Sequence, residues 1–261
     1  MSDLSVRNLS LTIGEKQILQ DVSADMSKGE LVGLIGPNGA GKSSFLKAVL
    51  GLHDTVGTSM TFEGKDLEVL TLKERSKLFA YAAQGAPVHW PLSVEYIVGL
   101  GRAPHLNPWQ SMSQRDKSLV DQALEKTDCL HLKSQSVMTL SGGERARVML
   151  ARALATDTPY LFADEPVASL DPAHQLQVMD ILKSEAREGK GVMVVLHDLG
   201  LALRYCDHLI LLHEGRTVGQ GEPEAILNEE NLNRVFGVQA ERWQSKGRDF
   251  LVVHNMDKGA A

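Results

Sequence analysis

Residues Leu31–Leu50, LVGLIGPNGAGKSSFLKAVL, combine three successive patterns. An apolar run, Leu31–Ile35, leads into the glycine-rich segment Gly36–Gly41, and Lys42 and Ser43 follow directly. Beyond them, apolar residues recur at helical spacing up to a glycine, which is a natural helix stop. These residues therefore predict a buried strand, a turn and a helix, with the G-x-x-x-x-G-K-S spacing of a phosphate-binding loop at the junction.

The predicted loop has the chemistry needed to hold phosphate. Glycine lets backbone N–H groups turn inward because it has no Cβ, and the free N–H groups at the helix start add roughly half a positive charge. Lys42 can reach the β- and γ-phosphates, and the Ser43 hydroxyl can fill one Mg²⁺ position. The alternative is a tight turn with a chance Gly-Lys-Ser sequence. The candidate nucleotide-binding residues here are Gly36, Pro37, Asn38, Gly39, Ala40, Gly41, Lys42, Ser43 and Ser44.

Size and composition narrow the functional class. The 261 residues, 43% of them hydrophobic, suffice for one large domain or for a core with an inserted subdomain. The net charge of −6 argues against a nucleic-acid partner, which requires a basic surface. Cys129 and Cys206 are far apart, which fits a reducing compartment and indicates no disulfide framework. Because we find neither a secretory signal nor an apolar run long enough to span a bilayer, we expect a cytoplasmic protein that acts at a membrane only through a partner.

Hydrophobic patterning predicts an α/β protein with a helical insertion. Residues Leu4–Met26 alternate between apolar and polar, which predicts antiparallel strands at an edge. Prolines and then helical patterns mark residues 85–155. Continuous apolar runs such as Tyr160–Ala163 and Val192–Leu196 predict strands covered on both faces. The remaining predicted elements are strands near 60–62, 79–83, 208–212 and 250–253, and helices near 72–78, 142–155, 224–227 and 229–236. Two further helices are predicted from their starts: one begins at Ser113 and has an apolar face through Leu124, and one begins at Asp171-Pro172 and has apolar residues at helical spacing through Leu182.

The run LFADEP places two carboxylates, Asp164 and Glu165, at the end of a buried strand. Asp164 can hold Mg²⁺ directly or through water. Glu165 would then face the γ-phosphate, where a carboxylate can polarise the attacking water. The alternative is an ordinary pair of solvated residues at a strand end.

A second predicted anion site lies at Leu140–Glu144, LSGGE. Ser141 with Gly142 and Gly143 offers a hydroxyl and free amides at a helix start. The simpler interpretation is a helix cap, and one geometry can serve both purposes.

Three further polar residues are candidates because of their positions. His197 ends a strand and can hydrogen-bond a γ-phosphate or Glu165, although a histidine there is often only structural. Gln84, also at a strand end, can contact Mg²⁺ or water. Asp171 precedes a proline and has the position of a helix N-cap.

Taken in order, these residues resemble the nucleotide-binding subunit of ABC transporters over essentially the whole chain. The resembling motifs are GPNGAGKS (Walker A), Gln84 (Q-loop), LSGGE (signature), LFADEP (Walker B with its catalytic glutamate), Ser169-Leu170-Asp171 (D-loop) and His197 (switch histidine). The resemblance implies a P-loop NTPase (RecA-like) core with an antiparallel β-subdomain, in residues 1–84 and 156–261. It also implies an inserted α-helical subdomain in residues 85–155.

The resemblance also implies partners and cofactors. It implies ATP and Mg²⁺, with Ser43, Gln84 and Asp164 at the metal. It implies a head-to-tail homodimer in which Ser141 and Gly143 act on the ATP of the other copy. The region after Gln84 and the sequence Asp171–Gln175 look like those of importers for iron-siderophore, haem and cobalamin. In such importers the former region docks two membrane permease subunits, so we assign residues 85–108 to that surface.

The pattern departs from the family in three places. Ile13 stands near the aromatic residue that usually stacks on adenine, which implies a weaker apolar contact. Ser44 replaces a threonine, without expected consequence, and Val167-Ala168 replaces a polar pair, which would loosen the following turn. For Trp90 and Trp109, local packing and partner contact both remain open.

The sequence thus predicts the ATPase subunit of an importer for an iron-siderophore, haem or cobalamin-type substrate. Lys42 would stabilise transferring charge, Glu165 would activate water, and Gln84 and His197 would sense the γ-phosphate. The subunit would lie peripherally on the cytoplasmic face of the inner membrane and meet a substrate-binding protein only indirectly. The alternative is a soluble ABC-type ATPase acting on DNA or ribosomes. The long heptads or tandem cassettes of such proteins are absent from this sequence.

Overall fold

The computed structural model describes residues 3–85, 90–168, 170–245 and 248–255. The strands are β1 (Leu4–Ile13), β2 (Lys16–Met26), β3 (Leu31–Ile35), β4 (Ser59–Phe62), β5 (Lys65–Asp66), β6 (Phe79–Ala82), β7 (Tyr160–Ala163), β8 (Gly191–Val195), β9 (His208–His213), β10 (Arg216–Gly221), β11 (Val238–Ser245) and β12 (Arg248–Asn255). The α-helices are α1 (Lys42–Val49), α2 (Leu72–Arg75), α3 (Val94–Gly99), α4 (Gln114–Lys126), α5 (Gly142–Leu154), α6 (Pro172–Arg187), α7 (Leu199–Tyr205), α8 (Pro223–Ile226) and α9 (Glu229–Asn231).

A six-stranded sheet with the order β10-β9-β3-β8-β7-β6 forms the centre of the fold. Every neighbouring pair is parallel except β9 with β10. Every residue of β3, β7 and β8 is buried, because helices or the second sheet cover both faces. Parallel pairing brings the carboxyl ends of β3, β6, β7 and β8 to the same edge, which is where open α/β sheets bind ligands.

The second sheet is antiparallel, with the order β2-β1-β4-β5. Its apolar side packs with α1 against one face of the central sheet. Aromatic rings join the two sheets: Phe62 of β4 lies edge-on to Tyr160 at 5.6 Å and to Phe79 at 6.1 Å between centroids. The antiparallel strands predicted at the start of the chain are therefore present, and they cover the core that carries the phosphate-binding loop.

Helices α3, α4 and α5 fill the segment between β6 and β7. Capping boxes start two of them, with Ser113 and Asp116 at α4 and with Ser141 and Glu144 at α5. The buried residues of this segment belong to one cluster with the other face of the central sheet. The placing of a subdomain boundary at residues 85 and 155 remains a prediction.

The structure differs from the predicted elements in three places. Helix α3 forms within the proline-containing region, because the Ser93 side chain caps it by accepting a hydrogen bond from the Tyr96 N–H. Strand β10 was not predicted, since its sequence RTVGQG lacks an apolar alternation. The predicted last strand is one half of a hairpin, β11–β12, whose first strand is mostly polar. Within the described ranges, no helix has the length and hydrophobicity needed to cross a membrane.

Arg102 ties the segment after α3 to the C-terminal end of α5. Its guanidinium donates to Oδ1 of Asp116 at 2.9 Å and to the carbonyl oxygens of Ala155 and Thr156 at 2.9 and 2.8 Å. Both charged side chains are buried. Hydrogen bonds from Ser113 and Arg102 lower the pKa of Asp116 to about 2. The charge pair therefore fixes how residues 100–105 sit on the helical segment.

We expect Arg102→Met to destabilise the protein by about 3–5 kcal/mol, because it leaves the buried Asp116 carboxylate without its counter-ion. Urea unfolding followed by circular dichroism measures the change. Arg7→Met is the matched control, since Arg7 makes a bidentate but exposed pair with Asp25 and should cost less than about 1 kcal/mol. Equal losses in the two variants would contradict the anchoring role of Arg102.

Candidate active site

The turn between β3 and α1 exposes backbone N–H groups at a helix start. Gly36, Gly39 and Gly41 have positive φ values of 148°, 82° and 98°. A Cβ on Gly36 would lie 2.1 Å from the carbonyl oxygen of Leu212, so only glycine fits there. Gly41 is the N-cap of α1 and supplies no side-chain cap, which leaves the first N–H groups available for an anion.

Lys42 folds back over this turn. Its buried Nζ donates to the carbonyl oxygens of Gly36 and Pro37 at 2.8 and 2.9 Å. Burial lowers the pKa of Lys42, and the charges of Glu165 and Asp164 oppose that shift. The lysine thus places a cation where phosphates would meet the helix start.

The carboxylate of Asp164 faces the loop from the end of β7. It is only 2% exposed. Ser43 Oγ donates to Oδ1 and the Tyr81 hydroxyl donates to Oδ2, each at 2.9 Å. Burial and the neighbouring Asp164 charge raise the pKa of Tyr81, so the phenol keeps its proton and acts as a donor.

Glu165 lies between the ends of β6 and β8. Its Oε1 is 2.7 Å from His197 Nε2, and its Oε2 accepts a hydrogen bond from Gln84 Nε2 at 2.5 Å. The backbone of Glu165 is left-handed, with φ 51°. Three residues that are distant in sequence therefore meet around one carboxylate.

The proposed signature residues lie elsewhere in the chain. Ser141 and Gly143 line a cavity of about 320 Å³ together with Arg147, Asp171 and His174, and no residue of the phosphate-binding loop lines it. Ser141 caps α5, with its hydroxyl donating to Glu144 Oε2 at 2.8 Å. Asp171 caps α6 by accepting from the N–H of His174 at 3.0 Å. Gly142 instead lines a cavity of about 630 Å³ shared with Gln84 and Glu165.

The other residues singled out from the sequence lie in the turn, at strand or helix ends, or outside the described part of the chain. Asn38 and Ala40 lie in the turn, Ser44 lies in the first turn of α1, and Ile13 is half-exposed at the end of β1. Ser169 falls outside the described residues. The Val167 side chain is buried, and an Ala168 N–H···O=C Glu165 bond of 3.1 Å closes the turn there.

Tyr81 is the functional-site residue that sequence reasoning missed. It occupies the third residue of β6, three positions before Gln84. Nothing in its local sequence distinguishes it from a packing tyrosine. Only the pairing of β6 with β7 brings its hydroxyl to Asp164.

Comparisons with known proteins give a consistent result. The sequence profile of the ABC transporter family matches residues 19–168. A hemin import ATP-binding protein of Pseudomonas entomophila is 42% identical over 90% of this chain and 92% of its own. A cobalamin import ATP-binding protein of Halobacterium salinarum is 38% identical over 89% of this chain and 58% of its own.

Two solved structures are similar over most of the chain. A metal-chelate type ABC transporter in an inward-facing conformation has a TM-score of 0.86 and 26% identity, over 99% of both chains. A dimeric ATP-binding cassette in a post-hydrolysis state, bound to ADP and Pi, has a TM-score of 0.75 and 25% identity over 85% of this chain and 99% of its own. This chain belongs to the ABC transporter family. It is an ATP-binding subunit and an ATPase of that family, and it has the predicted P-loop NTPase fold.

We expect Lys42→Met to weaken ATP binding to this ABC subunit by roughly 10- to 100-fold, because hydrogen bonds to charged groups contribute about 1.5–3 kcal/mol. Titration calorimetry with a non-hydrolysable ATP analogue measures the change. Lys47→Met alters the last turn of the same helix and should leave the affinity unchanged. The assignment of Lys42 is wrong if the two variants bind the analogue equally well.

Proposed function

We propose that this chain is the ATP-hydrolysing subunit of an importer and that the residues at the edge of the central sheet perform the hydrolysis. The observation that carries the proposal is the convergence of the loop lysine with Asp164 and Glu165. Lys42 follows the turn after β3, whereas Asp164 and Glu165 both follow β7. A nucleotide phosphate bound to the loop would therefore face the Lys42 ammonium and two carboxylates. These carboxylates have different partners, Ser43 and Tyr81 at Asp164 and Gln84 and His197 at Glu165.

Binding of ATP begins at the turn. The backbone N–H groups of Gly36–Gly41, except at Pro37, and those of the first turn of α1 would bind the phosphates of ATP, and Lys42 Nζ would exchange its two carbonyl partners for phosphate oxygens. Because the ammonium is already buried, it gains more from this exchange than an exposed lysine would. Ile13 offers the base an apolar contact.

The oxygen donors beside the loop fit Mg²⁺. Mg²⁺ prefers oxygen ligands and is usually held by one or two carboxylates plus the phosphates of a substrate. Ser43 Oγ and Asp164 Oδ1 already lie 2.9 Å apart, and Gln84 adds an amide near Glu165. No group of three or more metal-binding His, Cys, Asp or Glu side chains occurs in the part of the chain that the structure describes, which suits a metal shared with the nucleotide. When bound, Mg²⁺ supplies charge neutralisation on the phosphates.

Glu165 is the residue that we assign to the attacking water. Its Oε1 contacts His197 and its Oε2 contacts Gln84, so the carboxylate is oriented before the nucleotide arrives, and each oxygen keeps a second lone pair for water. A water between Glu165 and the γ-phosphate would give its proton to the carboxylate as its oxygen bonds to the γ-phosphorus, while the bond from that phosphorus to the β-phosphate oxygen breaks and ADP leaves. His197 and Gln84 would then sense the γ-phosphate through their contacts with Glu165.

The separation of Ser141 and Gly143 from the phosphate-binding loop supports a homodimer. Ser141 and Gly143 line a cavity with none of the loop residues, so within one chain they do not complete the nucleotide site. In a head-to-tail dimer each Ser141 would meet the ATP held by the other copy. The dimeric ADP-bound cassette to which this chain is similar supports that arrangement.

A groove between core and helical segment supports docking of a membrane permease. It has a volume of about 420 Å³ and includes Leu52, Leu72, Leu100 and Pro104 among its lining residues. The three leucines are exposed, as are Trp90 and Trp109, so local packing does not explain either tryptophan. Part of the predicted surface 85–108, residues 86–89, falls outside the described residues. A pair of permease subunits seated here would hold the ATPase peripherally, at the cytoplasmic face of the membrane.

The substrate class follows from the relatives. Hemin and cobalamin are the cargoes named for the similar import proteins, and a metal-chelate type transporter has a similar structure. We therefore propose a haem, iron-siderophore or corrinoid substrate, delivered by a substrate-binding protein to the permease. The ATPase subunit itself would not touch it.

We expect Glu165→Gln to retain ATP binding and to lose roughly 10²–10⁴-fold in hydrolysis rate, since it removes general-base assistance. Phosphate release and analogue binding separate the two effects. Glu63→Gln, an exposed glutamate paired with Lys28, is the control and should hydrolyse ATP at the normal rate. Normal turnover by Glu165→Gln would refute the assigned role.

The importer assignment is tested by purification from native membranes in mild detergent, with mass spectrometry of co-purifying proteins. We expect a stoichiometric polytopic permease. Leu100→Glu, in the groove, should abolish its capture, whereas Val56→Glu, at an equally apolar exposed site outside the groove, should not. Recovery with ribosomal proteins or nucleic acid would instead support the soluble ABC-type alternative.

A further inference from the structure

Tyr81 lies between the Asp164 carboxylate and the groove that we assign to the permease. Its hydroxyl donates to Oδ2 of the Asp164 carboxylate at 2.9 Å. Tyr81 is also one of the residues that line the groove containing Leu100 and Pro104. The tyrosine is neither fully buried nor exposed, as this position between groove and carboxylate requires.

The hydroxyl determines how the Asp164 carboxylate is oriented. A carboxylate on its own rotates between two equivalent positions, and Asp164 has one donor on each oxygen, Ser43 at Oδ1 and Tyr81 at Oδ2. Ser43 lies in the first turn of α1, at the end of the phosphate-binding loop, whereas Tyr81 sits within β6, which is paired directly with β7. The strand-borne tyrosine is thus the fixed partner, and it keeps Oδ1 directed toward Ser43 and the loop. Partners of this kind, behind a metal ligand, set both its orientation and its affinity.

The groove that Tyr81 lines is formed by several parts of the chain, among them the segment after α1 and helix α2. Leu100 and Pro104 come from the segment after α3, and Arg152 and Ala153 come from the end of α5. A structural element that enters the groove would press on the Tyr81 ring. Any displacement of that ring changes the length of the hydrogen bond to Asp164, which is only 2% exposed and has little water to replace it.

We propose that Tyr81 is a positioning residue that holds Asp164 for Mg²⁺ and transmits the occupancy of the groove to that carboxylate. The second half rests on the proposed function, because it takes the permease as the occupant of the groove. The first half depends only on the isolated chain and its nucleotide.

The first half is tested with Tyr81→Phe, which keeps the ring and removes the hydroxyl. The dissociation constant of a non-hydrolysable ATP analogue is measured by calorimetry in EDTA and in Mg²⁺. Binding in EDTA reports the loop and Lys42, so it should not change. The gain in affinity on adding Mg²⁺ should fall about tenfold, as for other partners of metal ligands.

Tyr160→Phe is the matched control for this measurement. Tyr160 lies on the adjacent strand β7 and is fully buried, and its hydroxyl has no hydrogen-bond partner among the residues that the structure describes. Removing that hydroxyl should leave the Mg²⁺ gain at the wild-type value. A Tyr81→Phe protein with an undiminished Mg²⁺ gain would overturn the positioning role. A loss in EDTA as large as the loss in Mg²⁺ would also overturn it, because it would indicate general damage to the site.

The second half is tested with the detergent-solubilised complex of chain and permease. The Mg²⁺ concentration for half-maximal analogue binding is compared between the complex and the isolated chain. We expect a difference in the wild type and none in Tyr81→Phe. Equal behaviour of the two proteins, or no difference in the wild type, overturns the link to the groove. A chain that captures no permease contradicts the proposed function and this link together, while the calorimetric ratio still decides the role of Tyr81 at Asp164.

Discussion

The parallel hydrogen bonding of β7 to both β6 and β8, and of β3 to β8, is the constraint on which the rest of the molecule depends. These strands are short and almost wholly buried, so their register cannot slip without moving apolar side chains out of the core. Each strand ends at the same edge of the sheet. The chemistry at that edge is therefore a consequence of backbone pairing, and the side chains there need no long loops to reach one another.

Much of the fold and site follows from sequence for this reason. A buried parallel strand appears as a continuous apolar run, so the positions after the runs at β3, β7 and β8 are identified at once. Gln84, Glu165 and His197 each come just after a parallel strand, and these strands end at the same edge of the sheet. The contacts of Gln84 and His197 with Glu165 are therefore expected from the sequence. The hydroxyl of Tyr81 does not, because its role depends on which strand lies next to β6, and local sequence carries no information on strand order. The sequence does not predict β10, and it predicts only part of the β11–β12 hairpin. The strands that it misses are largely polar and lack the alternation of apolar and polar residues by which a strand is recognised.

The capped start of α5 has both a local and a wider structural role. The Ser141 hydroxyl accepts a hydrogen bond from the Glu144 N–H, and the Glu144 carboxylate accepts one from the Ser141 N–H, which is all that the helix cap itself requires. The same geometry leaves Gly142 and Gly143 without side chains over the helix start, where a Cβ on Gly142 would meet nothing. An ordinary helix cap would tolerate larger residues at such open positions. The open space is therefore consistent with a surface that another molecule completes, as the proposed dimer requires.

The left-handed backbone of Glu165 has a consequence for how this protein can be improved or can evolve. A glutamate at φ 51° is held in a conformation that costs roughly 1 kcal/mol or more, whereas glycine adopts it freely. A search guided by thermal stability alone would therefore favour glycine at this position. The resulting Glu165→Gly variant would be more stable to heat but would lack the carboxylate that contacts His197 and Gln84. At this residue a gain in thermal stability would cost ATP hydrolysis, so stabilising substitutions have to be made at other positions of the chain.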